Sequence, residues 1–260
     1  MEVLRKPATP THERRATQMG FLKSFFNDAF NEQGSDDTSG PGIIDGPKPV
    51  AASTFEALNE QELEAHLAIS RYGSFELTNA IRPSFGLEVV PRQGFRHDTY
   101  RDDESRSDVP VLMAAASKEQ LLDTFMELLE PLGSTVDVVL ETSHGHDSGG
   151  HTDLYREHID MPILQSILWD FEDLLLNDGC TGIAVLNPQT PQEVQLDEHK
   201  LLIVYGSNLS PYEMTLIDNH IDCDEDLRFI TEAEHVHSTT DKYVEQFEEL
   251  KMRLGMDGTM

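Results

Sequence analysis

Three short apolar segments constrain the fold most: Gly182–Leu186, Glu193–Leu196 and Leu201–Tyr205, separated by the loop-sized gaps 187–192 and 197–200. Each has strand length and strand composition, and each is bounded by turn-forming residues. Gaps this short join antiparallel neighbours, because a parallel crossover needs a dozen residues or more. An antiparallel meander is therefore expected here. Ahead of it, Asp160 and Pro162 open a long helix that Gly179 stops. Its apolar residues Ile163, Leu164, Ile167, Leu168, Phe171, Leu174 and Leu175 fall on one face.

The rest of the chain is punctuated in the same way. Asn59 and Glu62 form a capping box for a helix running to about Tyr72, with a further turn or two around Phe75–Ile81. Phe85–Val90, Phe95–Arg101, Val109–Ala116, Val136–Thr142 and Leu227–Glu232 read as strands. Ser117 with Gln120 starts a helix through Leu129, Ser210 with Pro211 starts another, and Asp241–Leu254 closes the chain as a helix. Tyr155 and Tyr243 are expected near helix starts, and the single tryptophan, Trp169, in the core or an interface.

Pairs of segments match between the two halves. Phe75-Glu76 leads to Gly86–Val90 at the spacing by which Phe171-Glu172 leads to Gly182–Leu186. Glu141–His146 matches Glu232–His237, and Thr152–Glu157 matches Thr240–Glu245. Ordered matches of this kind point to duplication. The expected architecture is α+β: two tandem units of helix, three-strand antiparallel meander, helix, strand and helix, packed as sheet-and-helix layers. The units span 54–158 and 159–260 and share the long helix. Residues 1–53 are expected to be disordered, with an amphipathic helix at 20–30 (Phe21, Leu22, Phe25, Phe26, Phe30) and a Gly/Pro/Ser-rich linker at 31–53. Met1 and Met19 are both candidate starts. The units would form either a pseudo-twofold monomer or a homodimer. In element order and acidity this arrangement is similar to that of the type III secretion chaperones, which implies a binding role.

Composition narrows the function classes. Lys and Arg total 19 against 48 acidic residues, a net charge of −29. Such an excess repels phosphate backbones and anionic membranes, so nucleic-acid binding is not expected and a protein partner with a basic segment is. No apolar run approaches the ~18 residues of a transmembrane segment. Two cysteines far apart, Cys180 and Cys223, suit reduced thiols in a cytoplasmic protein.

The histidines carry the other signal. His144 and His146 end a strand, where i and i+2 share a face, and Asp147 and His151 follow on a Gly-rich loop. Imidazoles so placed can hold zinc or a similar divalent transition metal. The run differs from the HxHxDH of metallo-β-lactamase-like hydrolases, since Asp147 stands one position early. His235 and His237 repeat the pair. The metal site would use the first set alone, or both pairs across the pseudo-twofold. Asp222–Asp226 is an acidic turn that fails the EF-hand pattern, with Leu227 where the glycine belongs. No GxSxG, HExxH or GxGxxG is present. The leading expectation is a non-enzymatic acidic interaction protein, chaperone-like or adaptor-like. The alternative is a metal-binding protein or metal-dependent hydrolase using the HxH pairs.

Overall fold

The computed structural model describes residues 53–55, 58–102, 107–144 and 151–256. The expected amphipathic helix at 20–30, nearly all of the linker, His146 and Asp147 lie outside the described residues.

The elements in chain order are α1 (Glu60–Leu67), β1 (Arg71–Tyr72), β2 (Phe75–Glu76), β3 (Ile81–Pro83), β4 (Gly94–Asp102), β5 (Ser107–Ala115), α2 (Lys118–Leu128), β6 (Thr135–Thr142), β7 (Thr152–Asp160), α3 (Met161–Asp170), α4 (Glu172–Asn177), β8 (Thr181–Leu186), β9 (Glu193–Leu196), β10 (Leu202–Tyr205), α5 (Ser210–Asp218), β11 (His235–His237) and α6 (Asp241–Arg253). Single 3-10 turns occupy Glu130–Leu132 and Ile230–Glu232. The class is α+β.

The expected meander is present. β8 pairs with β9 and β9 with β10, both antiparallel. It forms the centre of a seven-stranded sheet of order β4-β5-β10-β9-β8-β6-β7. The hairpins β4-β5 and β6-β7 flank it, so strands from both expected units share one sheet. Alternation sets which side chains meet the helices. Val138 and Leu140, Ile183 and Val185, Val194 and Leu196, and Leu202 and Val204 join Leu121, Phe125, Leu164, Leu168, Tyr212 and Phe247 in one core. The intervening positions are buried too, with Val139, Ala184 and Ile203 beside the polar Glu141, Glu193 and Gln195. Burial on both faces leaves β8 and β10 as nearly continuous apolar runs, whereas β6 and β9 carry buried polar side chains on the second face.

Several elements depart from the expectations. Thr152–Glu157 is part of strand β7 rather than a helix start, because it pairs with β6 along its length. A bulge there puts His158 at φ 55, with its N–H donated to Asp137 Oδ1 at 2.9 Å. Phe85–Val90 is a turn and bend with Leu87 at φ 49, and Phe85 and Val90 stand exposed for want of a strand partner. The residues after α1 form the β1-β2 hairpin rather than more helix. Leu227–Glu232 turns, and the strand follows at His235–His237. The long helix breaks at Phe171 into α3 and α4, and Ile163, expected to face inward, is exposed; Trp169 is also exposed, on the surface rather than in the core. Ser117 precedes α2 without capping it, since its hydroxyl accepts from the Glu76 N–H at 3.0 Å. Asn59 and Glu62 do form their box on α1.

The segments matched as a repeat therefore fall on unlike elements. Phe75-Glu76 is strand, whereas Glu172 of the matching Phe171-Glu172 opens a helix. Thr152–Glu157 is strand, whereas the matching Thr240–Glu245 is helical from Asp241 onward.

Candidate metal centre

The site begins with a hairpin turn. The Lys200 N–H bonds to the Asp197 carbonyl at 3.0 Å, and the Asp197 N–H bonds to the Leu201 carbonyl at 3.1 Å. With Lys200 at φ 62, this is the three-residue hairpin loop whose last residue is left-handed. Glycine is the usual occupant. Here the buried Lys200 ammonium donates to the Thr181 carbonyl at 2.8 Å, which ties the turn to β8. Asp197 fixes the interior: one carboxylate oxygen accepts the Leu201 N–H and the other faces His199 Nδ1, each at 2.8 Å. Burial pushes the Asp197 carboxyl up. His199, the Leu201 N–H and Lys200 outweigh that and hold it below the usual carboxylate range.

Strand β11 brings the other two histidines. His235 pairs with Pro83 and His237 with Ile81, so both imidazoles leave the same face. His235 Nδ1 donates to the Ala233 carbonyl at 2.8 Å, and His237 Nδ1 to the Gly179 carbonyl at 2.5 Å. Gly179 is required by close packing. A Cβ there would stand 2.4 Å from the Ala80 carbonyl oxygen and 2.9 Å from the Ser238 nitrogen.

The three rings converge. His199 lies 5.0 Å from His235 and 4.7 Å from His237, centroid to centroid. One donor nitrogen from each lies within 4.8 Å of the other two. Every Nδ1 faces an oxygen acceptor, which leaves Nε2 as the free lone pair on all three. That tautomer is the one a metal-ligating histidine adopts when a carboxylate or carbonyl orients it. Tetrahedral zinc wants nitrogens roughly 3.3 Å apart, so loading needs the donors to close by at most about 1.5 Å. Burial, followed by repulsion from His199 whenever that ring is protonated, lowers His235 to about 4 and His237 below its usual range. Neutral imidazole is the ligating form.

His235 and His237 thus meet His199, a residue the HxH pattern did not indicate. Its signal in the sequence was Asp197-x-His199 inside a two-strand turn. His144 and His151 do not join them. His144 Nε2 is 3.1 Å from Asp178 Oδ2. His151 Nδ1 is 3.7 Å from the carboxylate of Glu198, which also accepts the Ser143 hydroxyl at 3.2 Å.

Two other features are of a different kind. His97, Cys223 and Glu225 form an exposed cluster, but both His97 ring nitrogens already face carboxylates, Glu225 at 2.6 Å and Glu213 at 3.2 Å. The acidic turn Asp222–Asp226 is organised by Arg92, 2.6 Å from Asp224, and by the Asp224 N–H on the Phe95 carbonyl. A shallow open cleft borders the His199 turn, lined also by Phe75, Ala116, Leu121 and Phe229. No helix among the described residues is long and apolar enough to cross a membrane. No protein-family model, curated protein or solved structure matches the chain.

Proposed function

We propose that the protein binds a divalent transition metal, zinc foremost, through Nε2 of His199, His235 and His237. One observation carries this reading: three imidazoles from two separate elements converge while an oxygen acceptor holds each Nδ1. Three neutral nitrogen ligands leave a fourth position for water or substrate, as in catalytic rather than closed structural zinc sites. A metal so held supplies Lewis acidity and a water acidic enough to ionise near neutral pH.

The test is metal content after purification without chelator, followed by zinc titration of the stripped protein. Zinc uptake that falls by one tightly held ion per chain in His235→Ala/His237→Ala is the expected result. No uptake by the folded wild-type protein refutes it. The open fourth position of a three-histidine site is what a hydrolytic version of this reading would use. Zinc-dependent cleavage of simple phosphoesters or esters, abolished in the same double variant, would support that version, and a loaded but inert protein would argue against it. The acidic interaction-protein reading stands as a second proposal on the charge of −29. Capture of basic peptides at moderate salt tests it.

A further inference from the structure

The segment Asp178-Gly179-Cys180 leads from α4 into β8 and serves two clusters. Its middle residue accepts His237. Its outer residues meet His144, just beyond β6. The Ser143 N–H donates to the Cys180 carbonyl at 3.0 Å, and the His144 N–H to the Thr142 hydroxyl at 3.0 Å, which brings the imidazole over Asp178. His144 Nε2 is 3.1 Å from Asp178 Oδ2 and 3.2 Å from the Thr239 hydroxyl. One donor atom each from His144, Asp178 and Cys180 lies within 4.8 Å of the other two.

The simple alternative is a buried His–Asp pair beside a thiol, and it leaves a polar atom unexplained. Asp178 is fully buried; Oδ2 accepts the Thr181 hydroxyl at 2.5 Å, but Oδ1 has no hydrogen-bond partner among the described residues. A buried carboxylate oxygen without a donor is costly, and a bound cation is one of the few groups that resolves it. The His144 side chain is only 9% exposed and its ring stands edge-on to Phe247, so both partners are already held in place. Nitrogen, carboxylate and thiol together are a zinc donor set, and the sulfur disfavours Mg²⁺, Ca²⁺ and Mn²⁺.

We infer that His144 Nε2, the Asp178 carboxylate and Cys180 Sγ form a second transition-metal site for a zinc-class ion, separate in its ligands from the three-histidine centre. Binding replaces the Cys180 S–H bond with a metal–thiolate bond and releases the proton to solvent.

Cobalt(II) reads this site directly, because a thiolate ligand gives an intense near-ultraviolet charge-transfer band that imidazole and carboxylate ligands do not. The chain has two cysteines, so Cys223→Ser leaves Cys180 as the sole thiol. Full-length Cys223→Ser protein, stripped and kept reduced, is titrated with cobalt. The band should appear, and with His235→Ala/His237→Ala added it should saturate at one ion per chain. It should survive added His235→Ala/His237→Ala, vanish with Cys180→Ser, and need at least tenfold more cobalt in Asp178→Asn. No band from the folded Cys223→Ser protein at saturating cobalt overturns the inference. So does loss of the band with the His235/His237 pair, which would place Cys180 in the other centre. Cobalt bound without the band would leave the three-histidine reading intact while removing this one.

Discussion

Asp197→Asn separates the support of the proposed centre from the centre itself. The native carboxylate makes two contacts at 2.8 Å, to the Leu201 N–H and to His199 Nδ1. An amide has one oxygen, so it satisfies one of them. If that oxygen keeps Leu201, the NH₂ group faces His199 Nδ1 and drives the proton to Nε2, where it blocks the lone pair. If the oxygen serves His199, a backbone donor of the turn loses its acceptor. In the first case the contact survives with its direction reversed and the loss falls on metal binding; in the second a buried hydrogen bond is lost, a cost of about 1–3 kcal/mol in stability. Loss of an orienting partner typically weakens metal binding 10–100-fold, or about 1.4–2.7 kcal/mol. Zinc affinity is measured by competition with a chromophoric chelator, and stability by urea unfolding in excess chelator. A purely structural Asp197 would lower stability and leave affinity alone. Wild-type zinc affinity in a folded Asn variant refutes the assignment of His199 as a ligand oriented through Asp197.

Other perturbations follow from the same geometry. Gly179→Ala sets a Cβ against the backbone of Ala80 and Ser238, so the β11 end must shift; overpacking of this kind costs about 1–3 kcal/mol, measured by urea unfolding, and should also weaken zinc binding by moving the acceptor of His237. Zinc at a hundredfold excess over the Kd of the three-histidine centre should stabilise the protein by about 2.7 kcal/mol through that centre, which is roughly 5–11 °C in Tm for a domain of this size; this part of the rise should disappear in His235→Ala/His237→Ala, and the whole of it with chelator. The metal-free protein should lose stability in acid. His235 titrates at about 4 when folded against an ordinary 6.5, so the unfolded chain binds the extra proton first. Its contribution is intact above pH 6.5 and is lost as pH falls from there toward 4, by roughly 3 kcal/mol in all. Urea unfolding at pH 7.5 and 5 should show a smaller difference in His235→Gln than in wild type, and equal differences would refute the protonation argument.

The parts of the fold legible in the sequence were those whose signal is local. The β8-β9-β10 meander showed itself through short apolar runs and short gaps, and α1 through the Asn59–Glu62 box, whose donors and acceptors lie within one turn. Misread segments were those decided by distant partners. Thr152–Asp160 carries a polar pattern that suits a helix start, and it becomes a strand because β6 offers an unpaired edge along its length. Ser117 carries a capping signature, but Glu76, far away in sequence, claims its hydroxyl.

The histidine site divides along the same line. Alternation on a strand put His235 and His237 on one face, and that inference depends only on backbone pleat. Their third partner depends on sheet order. β9 and β10 lie at the centre of the sheet, and the turn joining them presents His199 where β11, paired with β3, presents its two rings. Nothing local in 235–237 could indicate that meeting. The resemblance between His144-x-His146 and His235-x-His237 allowed a site of the first set alone or one shared by both pairs, and the surroundings differ: β6 ends against Asp178 and Cys180, whereas β11 ends against Gly179, whose carbonyl orients His237. One tripeptide, Asp178-Gly179-Cys180, thus separates the two clusters. A substitution that displaces its backbone, such as Gly179→Ala, should disturb the three-histidine centre and the His144–Asp178–Cys180 cluster together, whereas Asp197→Asn should disturb the first alone.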